Sequence, residues 1–225
     1  MRFTLLGILV LTAVVAAAQT RTYSGFFPEA QLTYSPTKKL KLVAKVESQH
    51  GLISQENGEN AWEYYLDRTD FQGFAGTSIN PFTSVAVGYQ YRWDGDGENS
   101  HRSIQQIGFV QPKIGLRIGH RIRTDQTFLP TASPEFRVRY RIAFDIPLEG
   151  QKVDDGEYYF VASNEAIFGT QSGELKIENR LVGSLGYYFG KKQKLEAGID
   201  YRTDDFLDGG LRQRIWLKAG WYVNI

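Results

Sequence analysis

Between residues 135 and 146 the chain reads Glu-Phe-Arg-Val-Arg-Tyr-Arg-Ile-Ala-Phe-Asp-Ile. Phe136, Val138, Tyr140, Ile142, Phe144 and Ile146 share one parity; Glu135, Arg137, Arg139, Arg141, Ala143 and Asp145 share the other. A strand turns successive side chains to opposite faces, so this segment is a β-strand with one oily face and one arginine face. Few environments accept both. The oily face needs lipid or a protein core, and the guanidinium face needs water or carboxylates.

Similar alternation recurs along the chain. It predicts strands near 23–34, 40–49, 85–93, 114–124, 158–168, 181–189, 195–202 and 212–225, with weaker patterns at 62–77 and 102–110. No stretch past the N-terminal leader shows helical periodicity. The predicted fold is all-β, an up-and-down antiparallel transmembrane barrel. Eleven segments are recognisable, whereas single-chain bacterial barrels have even numbers, so the expected count is 10–12 with the doubtful segment at 62–77.

Four features favour lipid over a protein core. Short turns at 35–39, 80–82, 111–113 and 190–194 alternate with longer polar loops near 50–60, 94–101, 125–134, 169–176 and 203–210, with 147–157 the exception. Short periplasmic turns and longer outer loops are the pattern of outer-membrane barrels. The strands are about ten residues long, enough to cross the hydrocarbon layer when tilted. Tyr34, Trp93, Phe144, Phe168, Tyr187, Phe189 and Tyr201 fall near strand ends, where interfacial girdles lie. The final strand runs to Ile225, resembling the C-terminal signal read by the barrel assembly machinery, although that signal usually ends in an aromatic residue. Arginine turned toward lipid costs about 2–4 kcal/mol at the midplane, so the arginines of 135–146 are expected to face a wet lumen.

Composition bounds the rest. The 225 residues suit one large domain, and a net charge of +1 gives no basic excess for a nucleic-acid partner. Mean hydropathy is polar, as it is for a barrel whose strands are half inward-facing. The chain has no cysteine, hence no disulfide and no thiolate metal site. Residues 1–18 read as a cleavable signal peptide: Arg2, an apolar run from Leu5 to Val15, then Ala16-Ala17-Ala18 before Gln19. Residues 19–225 form the expected barrel domain, exported to the outer membrane of a Gram-negative bacterium, with outer-membrane lipid as its surroundings.

Several segments resemble the family designated domain of unknown function 2490, outer-membrane-like proteins of Bacteroidetes. The likeness rests on Pro28-Glu29-Ala30 before Lys38-Lys39, His101-Arg102 with Gln105-Gln106, and the stretch from Arg117 to Arg123. It continues through Arg137-Val138-Arg139-Tyr140-Arg141, Ser163-Asn164-Glu165 and Asn179-Arg180-Leu181. The resemblance implies an outer-membrane barrel and no established activity.

The candidate chemistry lies in charge. Arg117, Arg121 and Arg123 precede the strand that carries Arg137, Arg139 and Arg141, so adjacent strands would build an arginine wall. Glu165, Glu196, Asp200 and Glu47 are expected to point inward with it. Such a lumen is either a narrow anion-selecting passage or an arginine–carboxylate network that fills the barrel, and small barrels are commonly filled. A clear excess of arginine over inward carboxylate would favour the passage.

Other motifs are weaker. Residues 94–99, Asp-Gly-Asp-Gly-Glu-Asn, lack the glycine and glutamate a calcium loop requires at its sixth and twelfth positions. His50, His101 and His120 are too dispersed to suggest a metal site, and no cofactor is expected. His120 falls on the lipid-facing parity, which leaves a lipid-modifying barrel enzyme as an alternative. A soluble periplasmic barrel holding an apolar ligand is another.

Overall fold

The computed structural model describes residues 21–56, 59–190, 192–207 and 210–225. The signal peptide expected at 1–18, the start at Gln19 and residues 57–58 of the loop expected at 50–60 lie outside the described residues.

The described residues form eleven strands and no helix. They are β1 (Arg21–Tyr34), β2 (Leu40–Glu56), β3 (Glu59–Asn80), β4 (Thr83–Asp94), β5 (Ser100–Lys113) and β6 (Leu116–Phe128). After these come β7 (Glu135–Pro147), β8 (Tyr158–Gln171), β9 (Glu174–Gly190), β10 (Gln193–Asp204) and β11 (Arg212–Asn224). Each strand pairs antiparallel with the next, and β1 pairs parallel with β11 to close the barrel. The parallel seam follows from the odd count: in a meander of eleven, the first and last strands run in the same direction. No strand was missed or supernumerary.

The doubtful segment is the longest strand. β3 spans 22 residues, and register shifts at Gln49/His50 and Gly51/Ile53 in β2 reset the parity of its pairing. Such bulges insert unpaired residues, which is why alternation breaks there without the strand ending.

Several expected loops are strand instead. Residues 50–56 and 59–60 continue β2 and β3 as a hairpin arm that outruns β4. The loop expected at 169–176 is a two-residue turn at Ser172 and Gly173, with φ of 53° and 86°. Two left-handed residues in sequence match the right-handed twist of the flanking strands. The turn expected at 111–113 lies at Ile114 and Gly115, and β6 runs on to Phe128 through residues assigned to a loop. The barrel thus has a turn rim, bearing the connections at 35–39, 81–82, 114–115 and 148–157, and an arm rim opposite it.

Apolar side chains cover the outside. Val87 is 62% exposed and Leu217 65%, while Arg102, Arg139 and Arg202 on the inward parity are buried. Polar groups interrupt the exterior in places, one of them on the weakly patterned β5 and its neighbour. There Ser103 Oγ donates to Gln126 Oε1 and Thr124 Oγ1 donates to Gln105 Oε1 at 2.9 Å, so these groups satisfy one another.

Inside, Gly186 is among the glycines that packing requires. Gly186 lies opposite Tyr159 across β8 and β9, and a Cβ at that position would run into the Tyr159 ring. The ring cannot swing clear without cost: Tyr159 is buried, and its hydroxyl donates to Glu196 at 2.8 Å. Gly186→Ala is therefore expected to destabilise the barrel by about 1–3 kcal/mol, the usual cost of overpacking, read as a lower urea midpoint in detergent.

Candidate functional site

The inward parity of β6 and β7 carries the arginines singled out from the sequence. β6 and β7 pair Arg121 with Arg141 and Arg123 with Arg139, directly across from each other. Like charges at opposite positions of an antiparallel pair repel, so this block needs carboxylates from elsewhere.

Asp125 supplies the first. It is fully buried and lies 2.7 Å from Arg139, 2.8 Å from Arg137 and 3.4 Å from Arg102. Arg137 also lies 3.5 Å from Glu135, and Arg102 donates to Thr127 Oγ1 at 2.8 Å. Glu165 on β8 supplies the second: Arg121 donates to it at 2.8 Å, and Arg180 approaches to 3.9 Å. Among the described residues Arg123 finds only the neutral Gln106 Oε1, at 2.8 Å, with its guanidinium over the Phe74 ring. Arg141 makes no ion pair or hydrogen bond among the described residues, although it stands opposite Glu165 in register.

The remaining residues singled out from the sequence are distributed differently. Arg117 sits at the turn rim, half exposed, and pairs with Asp145 at 2.8 Å, apart from the wall. Asp200 forms a two-point pair with Arg202. Glu196 accepts from Tyr159 and has no ion pair among the described residues. Glu47 pairs with Lys45 at 2.6 Å.

Asp125 is not among the residues expected to face the lumen, because residues 125–134 read as a polar loop. Extending the parity Arg121, Arg123, Asp125, Thr127 by two steps would have turned it inward. A second cluster was also missed: Glu29 gathers Lys45 and Lys218, each at 3.0 Å, and accepts the Tyr222 hydroxyl. Asp70 with Arg92 forms a third, two-point pair. Neither showed in the sequence, because their partners come from different strands.

The lumen holds two cavities. A cavity of about 800 Å³ reaches the turn rim at Lys113 and Lys152, and a smaller one of about 260 Å³ lies toward the arm rim. Arg68, Arg92, Arg102 and Arg180 line both, forming a charged waist between them. Cations outnumber carboxylates by more than two to one around the larger cavity.

All three histidines lie outside the lumen, and each spends Nδ1 on a tyrosine hydroxyl: His50 with Tyr64, His101 with Tyr89, and His120 with Tyr140. Among the described residues no group of acidic and histidine side chains has the arrangement of a metal site. The hydrogen bond given to His120 goes to Tyr140 at 2.8 Å, and none links it to a serine.

The molecule is a closed, mostly antiparallel eleven-stranded barrel with a charged interior. By sequence it belongs to the DUF2490 family of proteins of unknown function, which matches residues 24–210. No curated protein matches the chain. Among solved structures it is similar to LpxR from Salmonella typhimurium at 8% identity, covering 81% of this chain and 83% of that one with a TM-score of 0.49. That degree of likeness carries no functional inference.

Proposed function

We propose that this protein is an integral outer-membrane β-barrel, inserted by the barrel assembly machinery, whose lumen is closed at the waist by arginine–carboxylate pairs. The observation that carries the reading is the orientation of the strands, with exposed leucine, valine and aromatic side chains outward and paired charges inward. Two exterior aromatic bands accompany it. Tyr34, Phe189 and Trp221 lie toward the turn rim, and Trp93, Phe136 and Phe168 toward the arm rim. Such bands sit at headgroup level in membrane barrels. The exterior polar clusters are hydrogen-bonded internally, including a reciprocal Asn164–Asn179 pair, as groups facing hydrocarbon must be.

The waist favours a closed barrel over a passive pore. At the waist Arg102 is buried against Asp125 and Arg92 pairs with the buried Asp70, and opening a path through them would separate these ion pairs. The cation excess lies on the turn-rim side of the waist, so it makes a charged vestibule without making a passage. The purified protein is expected to migrate as a heat-modifiable band from the membrane fraction. In planar bilayers it should show no steady single-channel conductance. Recovery from the soluble periplasmic fraction would overturn the membrane reading, and a stable conductance would overturn the closed waist.

A further inference from the structure

The turn-rim cavity carries charge that the fold does not neutralise. Arg121, Arg123, Arg139 and Arg141 form a block two strands wide, with Asp125 and Glu165 as its partner carboxylates. Both carboxylates are shared outside the block, Asp125 with Arg102 and Arg137, and Glu165 with Arg180. Two guanidiniums are left over. Arg141 has no partner among the described residues, and Arg123 has a neutral one. The Nε atoms of Arg121 and Arg123 are buried without a hydrogen-bond acceptor. All four arginines line the larger cavity.

An unpaired guanidinium in a partly dry enclosure is unfavourable, and the natural remedy is an oxyanion with several acceptor oxygens. We propose that the turn-rim cavity binds a small dianionic oxyanion of the phosphate-monoester class, held by Arg123 and Arg141. A dianion matches the surplus of two. Phosphate oxygens match the planar donor fork of arginine better than a monovalent halide does. The Phe74 ring beneath Arg123, 5.2 Å from its guanidinium carbon, restrains that side chain before the anion arrives. A volume of about 800 Å³ admits a phosphate with an organic substituent as well as the free ion. The assignment rests on the closed-waist reading, since an open passage would conduct the anion instead of retaining it.

The test is calorimetric titration of the folded, heat-modifiable protein in neutral detergent with inorganic phosphate and with glycerol 1-phosphate. Chloride at matched ionic strength and glycerol serve as comparisons. Saturable binding of both phosphates and of neither comparison is expected. Arg141→Gln and Arg123→Gln should each weaken it about tenfold or more, the scale of a lost hydrogen bond to a charged group. Arg212→Gln, at the arm rim, should leave it within about twofold. Absence of saturable binding by folded protein, equal response to chloride, or affinity unchanged in both variants would overturn the site. Failure of the membrane or closed-waist reading shows separately, in fractionation and in bilayer conductance.

Discussion

Replacing Asp125 by alanine is expected to cost the barrel about 3–5 kcal/mol, the largest loss of any single inward substitution. The carboxylate is fully buried and stands among Arg102, Arg137 and Arg139, which come from two other strands. Removing it leaves three guanidiniums facing one another in an enclosure with little water, and only Arg137 retains a second carboxylate, Glu135. The measurement is the urea midpoint of unfolding in detergent, followed by tryptophan fluorescence and by loss of the heat-modifiable band. Pairing Asp125→Ala with Arg139→Leu should recover part of the loss, because the second change removes one of the stranded charges. A cost below about 1 kcal/mol would mean that water already screens the cluster, as it does for exposed pairs.

Leu217→Arg is the second large effect, and it tests what lies outside the barrel. Leu217 is near the middle of β11, opposite Phe26 and Ile199, and is 65% exposed. If hydrocarbon covers that face, an arginine there costs about 2–4 kcal/mol in a lipid bilayer. If water covers it, the same substitution falls within about 0.5 kcal/mol, as for ordinary surface changes. Folding into lipid vesicles, followed by urea titration, separates the two outcomes. Thr170, on the outward parity at the arm-rim end of β8, supplies the comparison: Thr170→Arg should be nearly silent, since depth decides the cost.

The two substitutions probe opposite parities, and the sequence distinguished those parities with unequal success. On β7 the alternation of Phe136, Val138 and Tyr140 with Arg137, Arg139 and Arg141 is unbroken, and eleven such segments are the eleven strands of the barrel. Where alternation failed, it failed for local reasons. Bulges in β3 reset its pairing with β2, and the outward face of β5 carries Ser103 and Gln105 where an oily residue would have marked the strand. Strand ends were misjudged wherever polar residues continued a ladder, as at Asp125 and at residues 169–171, because ladder hydrogen bonds belong to the backbone and ignore side-chain polarity.

The sequence by itself determined the all-β class, a count of 10–12 strands, the arginine parity of β6 and β7 and the resemblance to the family, because side-chain parity and short motifs are local properties of the chain. Only the tertiary structure decided which charges meet. Arg121 reaches past Arg141 to Glu165, Asp125 collects three arginines from two neighbouring strands, and Glu29 gathers lysines from β2 and β11. Those choices depend on register, strand tilt and closure through the parallel seam between β1 and β11. A guanidinium fork selects its carboxylate by distance in space, and no spacing along one strand encodes that distance.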